Sequence, residues 1–100
     1  MSASADTGCL EREMGLDHAD FWRLLPRAVG DRPWRADGHR AVIDLAAGRV
    51  EIELGRERVR RIALMAIPVT PVTIRWQGVD KAVFDAFLAD FERHYQRGGG

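Results

Sequence analysis

The chain has 100 residues, 46% of them hydrophobic, with 15 Lys+Arg against 15 Asp+Glu and a formal charge of zero. That is enough for one domain, since halves of about fifty residues fall near the size at which a core alone can hold a fold. The longest apolar run is far short of the roughly eighteen residues that cross a bilayer, and the single cysteine rules out an internal disulfide framework and any multi-cysteine zinc site.

The charge is unevenly spread. Residues 1–20 hold Arg12 against Asp6, Glu11, Glu13, Asp17 and Asp20, while residues 21–62 hold ten arginines against six acids. A local basic patch is therefore possible, although the chain as a whole does not hold nucleic acid by charge alone. The opening MSASADTGC has no basic start leading into an apolar stretch, so it does not read as a secretory signal, and a cytoplasmic location is expected. Residues 1–9 read as a flexible tail, 10–97 as the domain and 98–100 as a flexible glycine tail.

Asp17 is a suitable N-cap for a first helix, in which Phe21, Trp22, Leu24, Leu25, Ala28 and Val29 recur at helical spacing. Pro26 removes an intrahelical hydrogen bond and predicts a stop near Leu24–Leu25. From Trp34 to Trp76 the period becomes two. Asp37-Gly38 marks a hairpin turn between a short segment at 34–36 and a strand at 39–45. Val50, Ile52 and Leu54 alternate with Glu51 and Glu53 in the next strand. A third long strand starts basic at Arg58, Arg60 and Arg61 and becomes apolar through Ile62-Ala63-Leu64-Met65-Ala66-Ile67, where Pro68 and Pro71 interrupt it. The last strand places Val72, Ile74 and Trp76 on one face. Asp80 then caps a helix over 80–96, with Val83, Phe84, Phe87, Leu88, Phe91 and Tyr95 along one stripe.

The order α-β-β-β-β-α with short turns predicts an α+β fold. An antiparallel four- to five-stranded meander is flanked by a short N-terminal helix and a long C-terminal one. The expected core is Phe21, Leu24, Leu25, Val42, Ile52, Leu54, Ile62, Leu64, Ile74, Trp76, Phe84, Phe87, Leu88 and Phe91.

Catalytic constellations are missing from the pattern. Cys9 falls in the expected tail with nothing beside it to activate the thiol, and Ser2 and Ser4 are the only serines. His18, His39 and His94 stand apart, without metal-ligand spacing. Glu51 and Glu53 share a strand face, which solvated strands commonly do. No glycine-rich loop joins a strand to a helix as phosphate binding needs. No catalytic, cofactor or metal residue is assigned, and a non-catalytic binding or assembly role is expected.

Two surfaces are candidates for recognition. Arg35, Arg40, Arg58, Arg60 and Arg61 with Trp34 form a possible anion or nucleic-acid contact, although interleaved acids make simple pairing on a wet sheet face the stronger expectation. The apolar 62–67 segment has apolar residues on both faces, and Ala63, Met65 and Ile67 form a possible interface for a protein partner or a second copy. No membrane partner is expected, since no segment spans one. A third class comes from the ending Gln96-Arg97-Gly98-Gly99-Gly100, which resembles the glycine tails of ubiquitin-like sulfur carriers. That resemblance implies activation of the last glycine by an adenylating enzyme. Those carriers end in a strand before the tail, whereas a helix is expected here.

Overall fold

The structure, a computed structural model, describes residues 5–99 and the side chains of 7–95. It is an α+β fold with one antiparallel sheet and two helices on one of its faces. In chain order the elements are β1 (Ala5–Met14), α1 (His18–Val29), β2 (Trp34–Asp37), β3 (Arg40–Leu45), β4 (Gly48–Leu54), β5 (Arg58–Ile62), β6 (Met65–Asp80) and α2 (Lys81–Gly99). The strand order is β1-β6-β4-β3-β2, with β5 paired to β6. The last strand in sequence is thus inserted between the first and the fourth. Its sixteen residues, at about 3.3 Å each, account for the 55 Å long axis of a molecule that is 24 by 22 Å across.

One face of the sheet carries the core. Ala41, Ile43, Val50, Ile52, Leu54, Val72 and Ile74 are buried there with Phe21, Leu25, Ala28 and Val29 of α1 and Phe84, Phe87, Phe91 and Tyr95 of α2. An aromatic file runs through it. Trp76 stacks on Phe84 at 4.0 Å, Phe91 meets Tyr95 at 4.6 Å, and Tyr95 stacks on Phe21 at 5.1 Å. The Tyr95 hydroxyl donates to the Phe21 carbonyl at 2.7 Å, and burial pushes its pKa up.

Several expectations are corrected. Residues 5–9 are not a tail: they form the first half of β1, paired along β6, and residues 1–4 lie outside the described ones. β1 was unreadable because only Leu10 and Met14 of its described core-facing residues are apolar, and Gly8 supplies no side chain. Gly98 and Gly99 lie within α2, while Gly100 is outside the described residues.

The first helix does not stop at Leu25. It continues through Pro26 to Val29, where Gly30, at φ 69°, caps it by donating to the Pro26 carbonyl at 3.1 Å. Burial of Ala28 and Val29 outweighs the lost hydrogen bond.

The third long strand is not one strand. Residues 58–62 and 65–69 are the two limbs of a hairpin closed at Ala63-Leu64, and β6 runs on through Pro68 and Pro71. Pro71 sits where the β4 ladder ends: its carbonyl accepts from the Gly55 N–H at 2.8 Å, and it has no N–H to offer in return. Ile62 and Leu64, expected in the core, are therefore exposed, at 51% and 103%. The hairpin between β2 and β3 also slips by one residue. Asp37 pairs with Arg40, so the loop is Gly38-His39, with Gly38 at φ 63° as the first residue of a type II′ turn.

Candidate functional site

The second face of the sheet is polar. Register places Cys9, Arg75, Glu51, Val42 and Arg35 in one row across β1, β6, β4, β3 and β2, and Glu11, Thr73, Glu53, Arg40 and Asp37 in the next. The charges alternate, and they pair. Arg75 donates to Glu53 at 3.0 Å, Arg40 and Arg49 lie 3.7 and 3.8 Å from Glu51, and Arg35 lies 3.9 Å from Asp44. The Glu53 hydrogen bond raises the Arg75 pKa further above its ordinary value. Val42 is buried amid this lattice although it faces away from the helices, because long ionic side chains cover it with their methylenes. A cavity of about 160 Å³ lies at one end of the face, lined by Thr7, Gly8, Arg49, Glu51, Arg75, Trp76 and Gln77. Its charged walls are already paired, Arg49 with Glu51 and Arg75 with Glu53 outside the cavity. Cys9 is an exposed free thiol in the same region.

The residues proposed for anion contact are thus divided. Arg35 and Arg40 belong to the paired lattice. Trp34 pairs with Ile43, so it faces the helices and packs half-buried against the core, on the opposite face from those arginines. Arg58, Arg60 and Arg61 stand apart on β5, beyond the end of the five-stranded body.

The chain matches no protein-family model, no characterised protein and no solved structure.

The hairpin of β5 and the start of β6 is the feature that the rest of the molecule does not explain. Over Met65–Val69, β6 pairs with β5 alone, since β1 reaches only to Thr70 and β4 only to Val72. The hairpin is an arm, about 17 Å of strand from Arg58 to Ile62. Among the described residues, the large hydrophobic side chains that are exposed are Val59, Ile62, Leu64 and Met65, at 56, 51, 103 and 62%. All four are on the arm. Of the interface residues expected from sequence, Ala63 and Met65 are exposed and Ile67 is half-buried.

The base of the arm is anchored by polar contacts. Glu13 of β1 accepts from both Arg58 and Arg60, the latter at 3.0 Å. Arg58 above all, with Arg60, holds the Glu13 carboxyl below the usual carboxylate range. The His18 N–H donates to Glu57 at 3.0 Å, and the His18 ring nitrogen Nε2 meets the Gly55 carbonyl at 2.7 Å. The joint between β4 and β5 is therefore tied to the start of α1. Arg56 and Arg61 form no ion pair among the described residues.

Sequence reasoning missed the tip residues Ile62 and Leu64 because Ala63-Leu64 has none of the Gly, Asn or Asp that announce a two-residue turn. Ala63 adopts φ 53° and Ala47, in the turn between β3 and β4, φ 65°. Both turns use alanine where glycine or asparagine would fit without strain. The signal that was legible is the six-residue apolar run from Ile62 to Ile67, preceded by arginines.

Proposed function

We propose that the chain is a small non-catalytic binding or assembly domain that meets its partner, a second copy included, through the arm at residues 62–67. The observation that carries the reading is the placement of Val59, Ile62, Leu64 and Met65, exposed together on an arm while the body buries its own apolar residues. Soluble proteins do not ordinarily leave a run of large apolar side chains at a projecting tip without a use for it. A reduced, cytoplasmic setting goes with this reading, since Cys9 is free and exposed. Among the described residues no helix is long and apolar enough to cross a membrane.

The second reading, an anion or nucleic-acid binder on the sheet face, draws less support. Arg35 and Arg40 have acid partners, and Trp34 is on the other face. The carrier reading needs a free glycine end, and α2 includes Gly98 and Gly99.

The test is the full-length variant with Ile62, Leu64 and Met65 all changed to Ser, followed by thermal unfolding and by sedimentation at rising concentration. A contact surface predicts an unchanged midpoint, and a loss of whatever self-association the parent chain shows. A midpoint lowered as far as a core truncation lowers it would place those side chains in the fold and end the proposal.

A further inference from the structure

The arm has two unpaired edges as well as a tip, and each can be asked what it would accept. A two-residue loop makes Ile62 and Met65 a hydrogen-bonded pair, and alternation then makes Arg60–Ile67 and Arg58–Val69 bonded pairs and Val59–Pro68 a non-bonded one. The outer edge of β6 along the arm therefore presents Ala66 and Pro68. Pro68 has no N–H, which blunts that edge. The outer edge of β5 presents Val59 and Arg61. Pairing two copies of it antiparallel about Arg60 would set Arg60 against Arg60 with Arg58 and Arg61 close by, a like-charge arrangement that opposes association. Neither edge is built to extend a sheet.

The tip is left. A stable protein interface takes about 20–30 residues a side, and the arm supplies four large apolar ones. Two arms would also bring two basic clusters together, since residues 56–61 hold four arginines against Glu57. The same small apolar area, with cations behind it on β5, matches an interface with a different geometry. Apolar groups that enter a bilayer surface sink only about 5–10 Å, to the boundary of headgroups and acyl chains, while basic residues stay at the level of the phosphates. At about 3.3 Å per residue, Arg61 and Arg60 are one and two residues behind Ile62, the depth at which those phosphates lie. Arg61 has no acid partner, and Arg58 and Arg60 share a single carboxylate, so cationic charge is left over for a ligand.

We propose that the arm docks on an anionic lipid surface, with Ile62, Leu64 and Met65 entering it and Arg61 contacting headgroup phosphates. This rests on the reading of the arm as the working part of the molecule and names what it meets. The sequence expectation of no membrane partner came from the lack of a spanning segment, and a hairpin tip needs none.

The test uses the full chain with vesicles of phosphatidylcholine, with and without phosphatidylglycerol, in a flotation assay. Binding is expected only with phosphatidylglycerol and is expected to weaken with added salt. Arg61→Gln should weaken it roughly fivefold, and Leu64→Glu should abolish it. Leu64 is fully exposed, so that variant keeps its fold. In a Leu64→Trp variant the emission should shift to the blue on anionic vesicles alone, by more than that of the parent chain with its three tryptophans. Binding that ignores lipid charge, or that survives Leu64→Glu unchanged, overturns the proposal. If vesicles are not bound but the chain self-associates until Leu64→Glu dissolves it, the lipid surface is wrong and the arm reading stands with a second copy as its partner. If neither occurs, both fall.

Discussion

Gly8 is the residue on which β1 and α2 meet through the sheet. A β-carbon built there would lie 2.3 Å from the Trp76 indole, and that indole cannot swing aside because it stacks on Phe84 at 4.0 Å. Gly8→Ala is therefore expected to destabilise the chain by about 1–3 kcal/mol, as overpacking does, with a lowered midpoint in urea or heat. An unchanged midpoint would mean that β1 is not held against Trp76. Arg32 and Asp90 join the loop after α1 to α2 at 3.1 Å. Arg32, with Arg93, holds Asp90 below the ordinary carboxylate range. A carboxylate with a lowered folded pKa binds fewer protons than in the unfolded chain, so its contribution is full above the ordinary range. It is lost as pH falls through the folded value. The thermal midpoint should drop as pH falls below the ordinary carboxylate range, and Asp90→Asn should remove part of that drop while lowering the midpoint at neutral pH. A profile identical to that of the parent chain would show the pair to be idle. Neither feature was readable in advance. The glycine lay in what looked like a tail, and Arg32 and Asp90 are 58 residues apart.

Among the elements, α2 supplies four aromatic side chains to the core, Phe84, Phe87, Phe91 and Tyr95. Phe87 is fully buried, with the Arg32 guanidinium 5.4 Å from its ring centre. Phe87→Ala should cost about 3–5 kcal/mol, read as a large fall in the midpoint. A fall of only a degree or two would remove the stripe from the core. In α1 the cost runs the other way. Pro26 is exposed and interrupts the helix ladder without breaking it, so Pro26→Ala is expected to stabilise by about 1–2 kcal/mol once the looser unfolded chain is subtracted. Destabilisation would instead show that the proline shapes α1 against the sheet. The elements that could be read from sequence are those with a full period in view: the α2 stripe, the alternation of β4, and the Asp17 cap, which accepts from the Asp20 N–H at 2.8 Å. Those that could not be read depend on a partner far along the chain. β1 is a strand because β6 lies beside it, and β5 and β6 separate at an Ala-Leu turn that looks like strand interior.

Over the whole molecule, zero net charge conceals two different surfaces. On the sheet face acids and arginines neutralise one another in a lattice, and a bound anion would have to break pairs already made. On the arm the arginines outnumber their acids, and the exposed large apolar side chains gather at the same end. The expectation of a contact at Ala63, Met65 and Ile67 came from too much apolar surface for a strand in a one-sided sheet. The structure relocates that surface to the turn of a projecting hairpin, where Leu64 has no covering at all. Amide hydrogen exchange of the full chain, with and without phosphatidylglycerol vesicles, tests the arm's role most directly. Alone, the amides of residues 59–66 should exchange faster than those of β4 and the β1-paired part of β6, because the arm is a two-stranded ribbon with open edges. With vesicles, protection should rise in residues 59–66 and nowhere else. Protection that rises on the sheet face around Arg49 and Arg75, with the arm unchanged, would contradict the account.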